Sequence, residues 1–346
     1  MLECRGRRLL LVGTPWSPPA WMKTSRKMDR SGTPCLRMRA HGPWAEYISR
    51  WIAVFKAKGV PIWAITVQNE PENNATWEAC VMTPEEEARF LGHHLGPVVR
   101  SAHPEVLIFV FDHNKDRVYP WTKAIYAHQE AAKFADGIAF HWYSGDGFDA
   151  IRRVHLEYPK ALLLASEATY ERWRWQKGTR LDTGDWSFGE GYAHDIIGNL
   201  EAGAAGWTDW NLLLDEHGGP NHVGNVCDAA MVASSSGEEL RVHPQYYFIG
   251  HFSKYLLPGS VRAATTVQGS VTYMGANRPY GTCTSEDGLQ ATTFVRPDGH
   301  VATVVLNCGD SEIKFRLRDH EGGRALASRI PAHAVQTYLF ERGERA

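Results

Sequence analysis

The stretch PWAEYISRWIAVFKAKGVPIWAITVQNEP, residues 43–71, carries the pattern that decides the fold. Trp44, Tyr47, Ile48, Trp51, Ile52 and Phe55 recur at intervals of three and four, the period of an amphipathic helix, with Pro43 at its first position and Gly59 as its stop. The apolar run Val60–Val67 follows directly and reads as a strand, ending in the polar cluster Gln68, Asn69, Glu70 and Pro71. A helix that feeds a buried strand is the repeating unit of a parallel α/β sheet.

The same cycle runs outward in both directions. Upstream, Arg8–Gly13 reads as a strand, because its apolar part is shorter than the roughly 7–15 residues of a signal peptide core. Downstream, Thr83, Pro84 and Glu86 form the start of a capped helix. Strands are expected at Val106–Phe111, Gly137–Trp142, Leu162–Ser166 and Ala205–Trp210, with helices near 120–134, 148–157 and 189–202 and a last amphipathic segment at 245–256. That makes six parallel strands, where a closed (β/α)8 barrel has eight. After Pro258 and Gly259 the pattern becomes alternation, in 261–267, 289–296, 300–307, 313–317 and 335–340, which predicts a small antiparallel β domain. The expected organisation is a catalytic α/β domain over 1–258 and a β domain over 259–346.

Composition narrows the function. The 346 residues are 43% hydrophobic and 22% charged, ordinary globular values, and the net charge of −2 gives no bulk attraction for nucleic acid or an anionic membrane. No apolar run approaches the roughly 18 residues of a membrane helix. The six cysteines show no C-x-x-C pair and no dense framework, so neither a metal ribbon nor a disulfide scaffold is expected, and Cys80 reads as a small buried thiol. Trp is as frequent as Phe and Tyr, 13 of each, which suits stacking on sugar faces as well as a core.

In parallel barrels, function collects at the carboxyl ends of strands. Here those ends are Thr14–Trp16, Gln68–Pro71, Asp112–Asn114, His141–Tyr143, Ser166 and Glu167, and Asp209–Asn211. Two glutamates, Glu70 and Glu167, stand three βα units apart, and two opposed carboxyl groups are what glycoside hydrolysis needs. Structural ion pairs would account for either glutamate taken alone; the neighbours favour chemistry. Asn69 can donate to a sugar hydroxyl, His141 and Tyr143 can orient a carboxylate, and Trp16 and Trp210 offer stacking walls. His93 and His94 point to different helix faces, and neither an H-E-x-x-H nor a G-x-S-x-G motif occurs, so no metal, cofactor or serine nucleophile is expected. The sequon Asn74-Ala-Thr76 matters only in a secreted eukaryotic protein. The Gly-, Asn- and Ser-rich stretch 212–242 reads as a mobile rim of the active face.

Seven segments resemble the glucosylceramidase-like enzymes of glycoside hydrolase family 30: TPWSPPAWMKT (14–24), WAITVQNEP (63–71), GIAFHWY (137–143), ASEA (165–168), GWTDWNL (206–212), GGPN (218–221) and GHFSK (250–254). They run in family order along nearly the whole chain. The resemblance implies a TIM barrel followed by a β-sandwich, with Glu70 as general acid/base and Glu167 as nucleophile, about 5–5.5 Å apart as in retaining enzymes. It implies a protonated Glu70 and an ionised Glu167 at rest. By the same carry-over Trp16, Asn69, His141, Trp210 and Asn225 would line the sugar subsite, beside Tyr143.

Family barrels place the acid/base after strand four and the nucleophile after strand seven, whereas here those residues follow the second and fifth strands. The register therefore predicts a (β/α)8 barrel lacking its first two βα units, and the family's Gly-rich first strand with its sugar-binding Asp has no equivalent before Leu9. The implied substrate is a β-glucoside or glycolipid, glucosylceramide first, with β-1,6-glucanase and β-xylosidase or xylanase as alternatives within the family. An inactive sugar-binding fragment or pseudoenzyme is the competing class. Secretion or a lysosome-like compartment would follow only if the true N-terminus lies upstream.

Overall fold

The computed structural model describes residues 3–4, 7–171, 186–271, 288–319, 323 and 325–341. A two-residue ribbon, β1 (Glu3–Cys4) with β2 (Arg7–Arg8), precedes a six-stranded parallel sheet. Its strands lie side by side in chain order: β3 (Val12–Gly13), β4 (Ala64–Thr66), β5 (Leu107–Asn114), β6 (Gly137–His141), β7 (Leu162–Glu167) and β8 (Gly206–Trp207). This is the number counted in the sequence. β4 and β6 are buried at every residue, as strands covered on both faces must be.

Small residues set the spacing inside the sheet. Ala64, Phe109 and Ala139 form a buried cluster, joined by Trp63, Leu107 and Leu164. Gly137 pairs with Phe109 on one side and Leu162 on the other, and a Cβ there would lie 2.4 Å from the Phe109 ring and 2.5 Å from the Leu162 carbonyl oxygen. Gly137→Ala is therefore expected to destabilise by about 1–3 kcal/mol through overpacking. A thermal midpoint unchanged by the substitution would refute this.

Helix α1 (His41–Ala57) buries Trp44, Ala45, Ile48, Ser49 and Ile52, while Tyr47, expected on the inner face, is half exposed. The reason lies at β3, an edge strand: Trp44, Tyr47, Ile48 and Trp51 border a cavity of about 230 Å³ with Gly13, Thr14, Pro15, Ser17 and Ile65. Helix α2 (Pro84–Phe90) starts with the expected capping box, Thr83 accepting from the Glu86 N–H and Glu86 accepting from the Thr83 N–H. A π-helical turn at Leu91–Leu95 joins it to α3 (Gly96–Ala102), and α4 (Val118–Ala127), α5 (Gln129–Ala132) and α6 (Phe148–Glu157) follow between the strands up to β7.

Cys80 is not a lone thiol: it forms a disulfide with Cys35, with the two Cα atoms 5.5 Å apart. The 45-residue separation hides the pair in the sequence, because it joins two loops rather than neighbouring elements. Lys23, fully buried, reinforces the same loops by donating from Nζ to the carbonyls of Met28, Arg30 and Ala79. Cys308 is also disulfide-bonded, and Cys283 lies outside the described residues.

By packing, the chain forms two compact units, Met1–Glu167 with Gly203–Thr208, and Ala168–Ala202 with Asp209–Ala346. In the second unit, α7 (Ser187–Glu201) is buried on nearly all sides. The stretch read as a mobile rim instead holds a three-stranded sheet: β9 (Leu213–Asp215) pairs parallel with β10 (Met231–Ala233), which pairs antiparallel with β11 (Leu240–Val242). Helix α8 (Pro244–Ser253) follows.

The antiparallel domain has one sheet of β12 (Val261–Ala263), β13 (Gln290–Val295), β14 (His300–Asn307) and β17 (Ala334–Glu341), and a second of β15 (Ile313–Arg318) and β16 (Ala325–Ile330). Leu289, Val305 and Ile330 centre its core. β16 was not expected: its sequence ALASRI lacks the β-branched alternation that marks a strand, and pairing with β15 holds it.

Candidate active site

The first unit brings Glu70, His141 and Glu167 together at the carboxyl ends of β4, β6 and β7. His141, fully buried, stands between the carboxylates: its Nδ1 is 3.2 Å from Glu70 Oε1, and its Nε2 is 3.9 Å from Glu167 Oε2. One ligand-type atom from each of the three lies within 4.8 Å of the others. The Tyr143 hydroxyl donates to Glu167 Oε1 at 2.9 Å, and the Asn73 amide donates to Glu70 Oε2 at 2.7 Å. Both glutamate side chains keep about an eighth of their surface open to solvent, enough to meet a ligand.

The backbone around Glu70 is built for that placement. Glu70 adopts a left-handed φ of 44°, costly for a residue with a side chain, and its N–H donates to the Asp112 carbonyl at 2.9 Å. The Asn69 N–H donates to the Pro15 carbonyl, and the buried Gln68 amide donates to the Trp16 carbonyl at 2.7 Å, so the β3 and β4 strand ends are fastened together. Asn69 is itself buried.

Asp112 is the site residue that the sequence reading did not assign. It is buried, and its Oδ1 pairs with His141 Nε2 at 3.1 Å and accepts from the Ser166 hydroxyl at 2.6 Å. The cause is a bulge: the β5–β6 register shifts between Phe111 and His113, and Phe111 and Asp112 have φ of 76° and 56°. A bulge redirects a side chain that regular alternation would place elsewhere. Its position at a strand end was the only available signal.

Electrostatics set the two carboxyls apart. Burial would raise Glu70, but the hydrogen bond and positive charge of His141, with His113 and Asn73, outweigh it and hold Glu70 down at about 2. Burial pushes Glu167 up to about 7, with the negative charges of Glu70 and Asp112 adding to the rise against His141 and Tyr143. Burial alone would lower His141, but Glu167, Asp112 and Glu70 together raise it well above the ordinary histidine range. These directions run opposite to the order that the resemblance implies, a protonated Glu70 and an ionised Glu167, and the two carboxyls share their protons with His141 as one coupled unit. The pair titrates as a unit, and the one-proton state is the same species in the balance whichever carboxyl carries it.

Trp210 and Asn225 belong to the second unit. Trp210 is 43% exposed and its N–H donates to the Ala168 carbonyl; Asn225 is half-buried. Among the described residues, Glu70, His141 and Glu167 form the group that could also hold a metal ion. Two carboxylates flanking a buried imidazole can equally exchange protons with a bound molecule.

Residues 3–256 match the Glycosyl hydrolase family 30 TIM-barrel domain, and residues 259–338 match the family's beta sandwich domain. The chain belongs to glycoside hydrolase family 30. Within the family it is 30% identical to the lysosomal acid glucosylceramidase of Mus musculus, over 99% of this chain and 64% of that protein. It is 26% identical to the endo-1,6-beta-D-glucanase of Neurospora crassa, over 96% and 65%. SrfJ from Salmonella typhimurium superposes with a TM-score of 0.84 at 33% identity, over 96% of this chain and 69% of that one. The chain thus spans somewhat less than two thirds of the curated family 30 relatives it matches. No helix among the described residues is long and apolar enough to cross a membrane.

Proposed function

We propose that this chain carries a retaining β-glycosidase centre for β-glucosides, with Glu70 as acid/base and Glu167 as nucleophile. The observation that carries the reading is the close approach of the two carboxylates around His141, with oxygens within 4.8 Å. An inverting enzyme separates its carboxyls by about 6.5–9.5 Å to admit a water, and a retaining one by about 5–5.5 Å. Glu167 attacks the anomeric carbon and forms a glycosyl ester, while Glu70 gives its proton to the departing oxygen. Glu70 then takes a proton from the water that cleaves the ester. Tyr143 steadies Glu167 for attack, and Asn73 and His141 steady Glu70. Trp16, Asn69 and His141 are the proposed sugar-subsite residues of the first unit; Trp210 and Asn225, which the resemblance also assigns to sugar binding, belong to the second.

The one-proton pair is the working state. Above about pH 7 the last proton leaves, Glu70 has none to donate, and kcat/KM on a glucoside with a poor leaving group should fall about tenfold per pH unit. The acid limb should lie far lower, toward the value of about 2 at which Glu70 takes up the second proton. A profile that stays flat from pH 6 to 9 contradicts this.

Glucosylceramide is the substrate supported by the names of the relatives found at about 30% identity. A β-1,6-linked glucan is the second reading, supported by the fungal relative. Initial rates on glucosylceramide in detergent micelles, set against a β-1,6-glucan, test the choice: preference for the glucan would displace the glycolipid, and turnover of neither would refute the glycosidase reading for this chain.

A further inference from the structure

Glu87, on α2, is fully buried and makes none of the hydrogen bonds that join Glu70, His141 and Glu167. Its Oε1 accepts the Phe111 N–H at 2.9 Å, and its Oε2 accepts the Trp121 indole N–H from α4 at 2.5 Å. Both partners are donors only. A carboxylate satisfies both, whereas an amide has one acceptor and turns an NH2 group against the other donor. A carboxylate in so dry a place needs a reason, and its partner Phe111 is the first residue of the left-handed pair that shapes the β5 bulge.

Asp112, the second of that pair, gives the dyad two of its supports: its carbonyl accepts the Glu70 N–H, and its side chain holds His141. We propose that Glu87 is a positioning residue, which pins the Phe111 N–H so that the bulge aims Asp112 at His141 and thereby fixes the contact between His141 and Glu70. The inference rests on the reading of Glu70 as acid/base. Without an acceptor for the Phe111 N–H, α2 loses the hydrogen bond by which it holds the bulge, and relaxation toward regular strand turns the Asp112 side chain away from His141.

A displaced acid penalises only the substrates that need its proton. In the full chain, Glu87→Gln is expected to lower kcat/KM on an alkyl β-glucoside by on the order of 30-fold, part of the 10²–10⁴ a positioned acid supplies, and on the dinitrophenyl β-glucoside by less than about threefold. Adding Trp121→Phe removes the donor that clashes with the amide, and should restore most of the alkyl glucoside rate. Equal losses on both glucosides, or no loss on either, overturn the proposal. A parent that cleaves neither glucoside refutes the glycosidase reading instead. The 15N shifts of the His141 ring, which need no turnover, then decide: they move in Glu87→Gln and in the double variant return toward the parent, and shifts unchanged from the parent overturn the proposal.

Discussion

Glu167→Gln should lower turnover of any β-glucoside by on the order of 10⁴-fold or more, the scale of losing a nucleophile, while leaving the fold intact. The amide has nearly the same shape and can still accept from the Tyr143 hydroxyl, but it has no charge with which to attack. It also removes one of the three carboxylates that hold His141 charged, so the His141 pKa should fall in the variant. The two readouts separate the chemical role from a packing role. Residual turnover within tenfold of the parent, with a parent-like thermal midpoint, would sink the assignment.

Cys80→Ser should be the most destabilising single change in the first unit outside its core. The Cys35–Cys80 bridge closes a loop of 45 residues, and the chain-entropy relation gives about 4 kcal/mol for a loop of that length. The loss reaches the site as well. The Pro71 carbonyl accepts the Met82 N–H, so the loop that Cys80 anchors begins right after Glu70 and contains Asn73, its hydrogen-bond donor. Urea midpoints with and without reductant measure the effect; a parent whose midpoint ignores reductant, and a variant within about 1 kcal/mol of it, would show the bridge to be idle.

Much of this was legible because parallel strands advertise themselves. Val60–Val67, Gly137–Trp142 and Leu162–Ser166 are predominantly apolar runs that give way to polar residues, and burial on both faces requires that pattern. Glu70 and Glu167 could be found because they stand where those runs stop. Elements held by pairing alone were invisible: β16 has small or polar residues where a strand reader looks for Val or Ile, and β9–β11 lie in a stretch rich in turn formers.

The bulge at Phe111–Asp112 was invisible for a different reason. Regular alternation gives no warning that two consecutive residues will turn left-handed, and Asp112 takes its role from that turn. The Cys35–Cys80 pair and the long reach from Glu87 to Phe111 depend on loops and helices meeting in space. The electrostatic directions were not legible in the motifs, because the resemblance fixes which carboxylate acts as acid, while the directions follow His141, whose nearer contact is to Glu70.

The most direct test of the central claim is the mass of the protein after incubation with an epoxide analogue of glucose, followed by peptide mapping. The account predicts one equivalent of label, on Glu167, and none on Glu167→Gln. An unchanged mass, or a label on any other residue, would contradict it.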